Sequence, residues 1–152
     1  MVRAMLHPFE KLEPITRRRA LVASVAFFVV TTATIGWVDS KYHTAAAPLG
    51  IVNFELARTP MMAQMILDAW SDHPGMNAWV AFGLGFDYLY LLSYGTMFAL
   101  LAASIAARLD GPSPGLARIA RIVAWLQFVA PLCDAIENAG LMAMLARAGT
   151  DP

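Results

Sequence analysis

The sequence predicts an all-α membrane protein: three transmembrane helices plus an amphipathic interfacial helix in the outer loop. Three observations carry this. Of 152 residues, 59% are apolar and only 14% charged, against roughly 45–50% and about 25% in average usage. Mean hydropathy is +0.56. Three stretches reach the length of about 20 residues that a hydrocarbon core roughly 30 Å thick requires. A chain this long makes one domain, so residues 1–152 are read as a single helical membrane domain. Eleven basic and eleven acidic residues cancel, which argues against nucleic acid, because neutralising a phosphate backbone needs an excess of basic side chains. Cys133 is the sole cysteine, so no disulfide closes within the chain and a cysteine-based zinc or iron–sulfur site lacks its ligand set.

The first span covers about residues 20–38. It carries no charge and is bounded by Arg17, Arg18 and Arg19 on one side and Asp39 on the other. Its length exceeds the 7–15 residues of a signal-peptide core. Cleavage near Ala45, Ala46 and Ala47 is the competing reading, and it would leave two spans. The second span covers about 77–107 and contains one acidic residue, Asp87. The third covers about 116–146, with Arg118 and Arg121 at its start and Asp134 and Glu137 further along. Arg3, Lys11, Arg17, Arg18, Arg19, Arg108, Arg118 and Arg121 fall on one side of the three spans, and Lys41, Arg58 and Arg147 on the other. The positive-inside bias therefore puts the N-terminus in the cytoplasm and the C-terminus in the periplasm of a bacterial inner membrane.

Asp110-Gly-Pro-Ser-Pro-Gly115 is a short turn of helix breakers, so the second and third spans are expected to be antiparallel neighbours. The longer loop between the first and second spans holds a further helix over about residues 60–71. Thr59 suits its cap and Pro60 its first position. Met61, Met62, Met65, Ile66, Ala69 and Trp70 are expected on its apolar face, with Gln64, Asp68 and Ser71 opposite, the pattern of a lid or surface anchor. Gly95, Ala99, Ala103 and Ala107 recur every four residues on the second span, and this small-residue stripe reads as packing within the chain rather than a dimer contact.

The chemistry-bearing groups lie on the second and third spans. An ionisable residue in a span costs about 2.5–3.5 kcal/mol on insertion scales, so each one needs a reason. Asp87, Tyr90 and Tyr94 stand at i, i+3 and i+7 on one side of their helix; Asp134, Glu137 and Asn138 stand at i, i+3 and i+4 on theirs. With span midpoints near Leu92 and Pro131 and about 1.5 Å of rise per residue, Asp87 lies about 7 Å, Asp134 about 4 Å and Glu137 about 9 Å outward. Because the helices run in opposite directions, these six residues are expected to form one polar cluster in the outer half of the membrane. Pro131 frees the carbonyl of Gln127 and is expected to bend the helix, leaving room for a water or a ligand.

Three roles remain open for the cluster: protonated carboxyls hydrogen-bonded for structure, a pocket for a lipid- or quinone-like amphiphile, or a proton or metal site. No histidine lies within a span, so the chain supplies no histidine to a haem buried in the bilayer. Met61, Met62, Met65, His73 and Met76 are ligand types that suit copper, but the methionines are explained as the helix's apolar face. No metal site is assigned and no cofactor is identified. No Ser-His-Asp set or phosphate loop appears, and Gly83-Leu84-Gly85 lacks the strand that a nucleotide fingerprint needs.

Phe54-Glu-Leu-Ala57, Ile66-Leu67 with Trp70, Phe86-Asp-Tyr-Leu-Tyr90 with Tyr94, and Asp134-Ala-Ile-Glu-Asn138 together resemble a group of small uncharacterised bacterial multi-pass membrane proteins. These show an external Phe-Glu-Leu-Ala element, an Asp-Tyr span and an Asp-x-x-Glu-Asn span. The resemblance covers about residues 51–145 and implies a membrane location without implying an activity. Members commonly continue into a fourth hydrophobic helix, so the expectation is that a partner helix covers the corresponding face of this chain. The favoured reading is a non-catalytic accessory or assembly subunit of a larger membrane complex, whose partners are the lipid bilayer and other membrane subunits. The alternative is a small membrane protein that binds or transforms a lipid- or quinone-like ligand at the carboxylate cluster.

Overall fold

The computed structural model describes residues 6–148; Arg3, counted above for orientation, lies outside them. Among the described residues there is no strand. A 3-10 turn, Pro8–Lys11, is followed by five helices: α1 (Pro14–Asp39), α2 (Ile51–Glu55), α3 (Pro60–Ser71), α4 (Met76–Leu109) and α5 (Pro114–Ala148). Three of them, α1, α4 and α5, are long and apolar enough to cross a membrane, and the chain is an all-α multi-pass membrane protein. The helices extend a few residues beyond the predicted spans because their charged ends continue the helix past the apolar stretch. Of the most apolar part of each, 50% is buried within the protein in α4 but only 17% in α1 and 11% in α5. The apolar flanks of α1 and α5 therefore face outward, as a lipid-bathed helix requires.

Two compact units make up the chain, and each long helix contributes to both. The first is Met1–Thr31 with Leu91–Asp134; the second is Thr32–Tyr90 with Ala135–Pro152. In the first, the turn from α4 to α5 is short, and Pro114 opens α5 at the position where a missing N–H costs nothing. Buried Ala102, Ala103 and Ala124 pack with Phe9 into a core of small side chains. Ala99 and Ala103 are fully buried, so the small-residue stripe is used for packing inside the chain. A Cβ at Gly95 would stand 2.8 Å from Cγ of Pro131 and 3.1 Å from the carbonyl oxygen of Gln127. Only glycine lets α4 approach the proline at the carbonyl that the proline has freed. That contact occupies the side of Pro131 facing α4.

The second unit has the larger core. Trp70 and Val38 are fully buried with Tyr42, Phe54, Leu67, Val80 and Leu84 around them. The Trp70 indole donates to the carbonyl of Tyr42 at 2.8 Å and meets the rings of Tyr42 and Phe54 edge-on, at centroid distances of 5.9 and 5.3 Å. Such aromatic pairs add about 0.5–1.5 kcal/mol beyond their buried area. The Thr59 hydroxyl caps α3 by accepting from the N–H of Met62 at 3.2 Å, as its sequence position predicts.

The apolar face expected on α3 is shared between core and surface. Ala63, Ile66, Leu67 and Trp70 point inward, at i, i+3, i+4 and i+7, whereas Met61, Met62 and Met65 are exposed. The helix is apolar on two sides. Its aromatic and branched residues fill the core, and the flexible methionines are left outside.

Candidate functional site

The six residues predicted to cluster are placed as follows. In the second unit the Asn138 side-chain amide donates to the Asp87 carboxylate, and Asn138 is 4% exposed. In the first unit the Tyr94 phenol donates to Asp134. Tyr90 is half-buried, and Glu137 is exposed on α5 and joins neither pair. Asp87 therefore meets the third span at Asn138, one residue beyond the carboxyl expected there. The next residue of α4 strengthens the same contact, since the Tyr88 hydroxyl donates to the carbonyl of Ala135 at 3.1 Å.

Asp87 and Asn138 line a small cavity of about 30 Å³ together with Tyr42, Glu55 and Gly83, closed by Ile35, Ile51 and Leu84. Glu55 thus faces the same space as Asp87. Tyr42 comes from the loop after α1 and Glu55 from the last turn of α2. A Cβ at Gly83 would stand 2.7 Å from the Tyr42 hydroxyl, so glycine is what admits the phenol. Burial, with the nearby negative charges of Asp39, Asp87 and Glu55 and a hydrogen bond to Asp39, pushes the Tyr42 pKa well above its ordinary value. The phenol is held neutral. Asp39 is itself anchored: it accepts from the N–H of Ile51 at 3.0 Å and contacts His43 at 2.8 Å.

The space has polar groups enough for a water molecule, which needs only about 10–15 Å³ of such volume and two to four partners. It is far below the 300–1,000 Å³ of a typical ligand pocket. No three His, Cys, Asp or Glu side chains gather to hold a metal ion among the described residues. His43 reaches Asp39, and the His73 ring contacts the carbonyl of Ala69 at 2.9 Å.

A second polar centre lies in the first unit, and sequence reasoning did not find it. Arg121, treated above as a flank charge, is buried. Its guanidinium donates to both carboxylate oxygens of Glu10, at 2.9 and 3.1 Å, and to Asp110. Glu10 in turn accepts from the backbone N–H of His7 at 3.0 Å. His7 is fully buried among Phe9, Trp125 and Phe128, with ring centroids at 5.0, 4.9 and 5.4 Å. Its Nδ1 accepts from the N–H of Phe9 at 3.3 Å, which leaves the proton of a neutral ring on Nε2. Burial lowers the His7 pKa, and the charge of Glu10 opposes that more weakly. The sequence holds a partial signal for this centre, because His7 followed three residues later by Glu10 has capping-box spacing. Nothing in the spacing links Glu10 to Arg121.

No family model, curated protein or solved structure matches the chain.

Proposed function

We propose that the chain is a non-catalytic accessory or assembly subunit of a larger complex in a bacterial inner membrane, with its N-terminus cytoplasmic and its C-terminus periplasmic. One observation carries the reading: Glu137 is exposed on α5, and the same helix carries an apolar stretch fit to cross a bilayer. A carboxyl group turned toward hydrocarbon is costly, up to about 2.5–3.5 kcal/mol at the centre of a span, and a hydrogen-bond donor on a neighbouring helix relieves that cost. Gly140 and Met144, at i+3 and i+7 from Glu137, are exposed on the same side. A methyl group at Gly140 would meet nothing within 4 Å, so the backbone there is open to close approach by another helix. The orientation rests on Arg17, Arg18 and Arg19 in the first turns of α1 and on Arg108, Arg118 and Arg121 around the turn between α4 and α5.

The paired carboxyls support the same reading. Asp87 and Asp134 are each engaged by a neutral donor, which is a structural use of the groups rather than a set arranged for acid–base work. The alternative, a lipid- or quinone-like ligand bound beside Asp87, Glu55 and Asn138, draws on the cavity in the second unit but has little volume to work with.

Mild-detergent extraction of the full-length protein followed by mass spectrometry tests the proposal. Stoichiometric membrane partners are expected, and Glu137→Leu is expected to lower their recovery while leaving the melting temperature unchanged. A solitary monomer, or partners retained in full by Glu137→Leu, would overturn the reading.

A further inference from the structure

We propose that the arginine-rich ends of α1 and α4 form a binding site for the phosphate headgroup of an anionic phospholipid. In the first unit, Pro14, Arg17 and Arg18 of α1 and Ser104 and Arg108 of α4 enclose a pocket of about 310 Å³. A shallow groove of about 400 Å³ adjoins it through Arg18 and runs from Arg19 along Ile15, Val22, Ala23 and Ala26. Three arginines thus border one compartment, while the next passes from Arg18 and Arg19 onto aliphatic side chains, the order in which a phospholipid presents headgroup and acyl chain.

The charges in the pocket are available. Glu10 and Asp110 are both engaged by Arg121. Glu13 is exposed, and among the described residues it forms no ion pair with the pocket arginines. Arg17 makes one contact, to the carbonyl oxygen of Glu10 at 3.3 Å, which leaves its charge uncompensated. Ser104 donates its proton to the carbonyl of Leu100 at 2.7 Å, so the guanidinium groups carry the recognition. Arginine forks match phosphate oxygens in pairs, and Pro14 places the positive end of the α1 dipole at the same mouth. The location separates lipid from soluble anions. Arg17–Arg19 mark where the uncharged stretch of α1 begins, and the groove continues into that stretch, so a bound phosphate lies at headgroup level with its chain alongside Val22 and Ala26. Basic pockets between transmembrane helices hold anionic headgroups by the same physics.

The test uses the full-length protein in mild detergent with equal amounts of phosphatidylglycerol and phosphatidylcholine, and native mass spectrometry to count retained lipid. Phosphatidylglycerol is expected to be preferred. Arg18→Gln and Arg108→Gln are each expected to lower its retention about fivefold, the equivalent of about 1 kcal/mol per basic residue at a membrane surface. Arg118→Gln, outside the pocket, is expected to leave retention unchanged. Ala23→Phe fills the groove and is expected to reduce lipid retention without altering competition by inorganic phosphate. Equal retention of the two lipids would overturn the proposal, as would an equal loss in Arg118→Gln, which marks unspecific attraction. Full displacement by inorganic phosphate with no effect of Ala23→Phe would identify a free-anion site instead. Arg18 is exposed, so its variant tests the site even if Arg108→Gln misfolds.

Discussion

In the first unit an N-terminal segment is fastened to α5 by charge: Glu10 closes on Nε of Arg121, and Asp110 accepts from Nη2 of the same guanidinium. In the second unit the loop after α1 is fastened by an indole, with Trp70 filling the core and donating to the backbone of Tyr42. Each device fixes a non-spanning segment, but they respond to different disturbances. An ion pair removed from water depends on both partners being present. An aromatic core depends on volume and is indifferent to salt. The contrast suits the local composition, since basic residues crowd the first unit while Tyr42, Phe54 and Trp70 sit between the first and second spans of the second.

The largest effect is expected from Trp70→Ala. Opening a cavity of that size costs about 3–5 kcal/mol, with about 1 kcal/mol more for the lost hydrogen bond, read as a fall in melting temperature that salt does not change. Arg121→Met is expected to cost nearly as much, about 3–5 kcal/mol, because Glu10 is left buried and unpaired. The double variant Glu10→Leu/Arg121→Met separates the mechanisms, since removing both charges is expected to restore most of that stability. If the double variant is as damaged as the single, packing rather than charge fastens the segment.

Gly95→Ala comes next. The added methyl collides with Pro131, and overpacking of this kind costs about 1–3 kcal/mol. Gly140→Ala, with open space around it, is expected to be neutral or to gain up to about 1 kcal/mol from helix propensity. Denaturation of the two variants side by side measures how closely α4 depends on the freed carbonyl.

The smallest effects are in pH, and the two units are expected to show opposite signs. His7 has a folded pKa below its ordinary 6.5, so its contribution is complete above that value and is lost as pH falls through it, when the unfolded chain takes up the proton first. Tyr42 has a folded pKa above its ordinary 10.0, so its contribution is complete below that value and is lost as pH rises past it. Melting curves should decline at both ends, with His7→Phe flattening the acid limb and Tyr42→Phe the alkaline one. A single variant that flattened both limbs would show that the two rings do not act separately.

Spans and turn were legible because uncharged length and helix breakers are local properties. The meeting of Asp87 with the Asp-x-x-Glu-Asn segment was also legible, since a fixed rise per residue carries depth along a helix, although the partner is Asn138 and Glu137 turns outward. One helical position is about 100° of rotation, and rise alone does not set it. The apolar face expected on α3 is divided, with Ile66 and Trp70 buried beside Ala63 and Leu67 while Met61, Met62 and Met65 are exposed. Which apolar stripe turns inward is decided by what it packs against, and rigid shapes such as Trp70 set the fit. Tyr42 and Glu55 reach their cavity from the segment between α1 and α3, where no period governs direction. The spacing of His7 and Glu10 was visible, but their partners Trp125, Phe128 and Arg121 lie more than a hundred positions away.

The bond between Glu10 and Arg121 joins residues 111 positions apart. A ribosome adds about 5–20 residues per second, so the carboxylate emerges roughly 5–20 s before its guanidinium. Until then Arg121 cannot shield Glu10, and the amino-terminal segment has no dock. Closure of this bond therefore belongs to the last stage of biogenesis, after the second hairpin arm has been made, and a nascent chain stalled before Arg121 should present His7 and Phe9 to proteases and chaperones that the finished protein excludes.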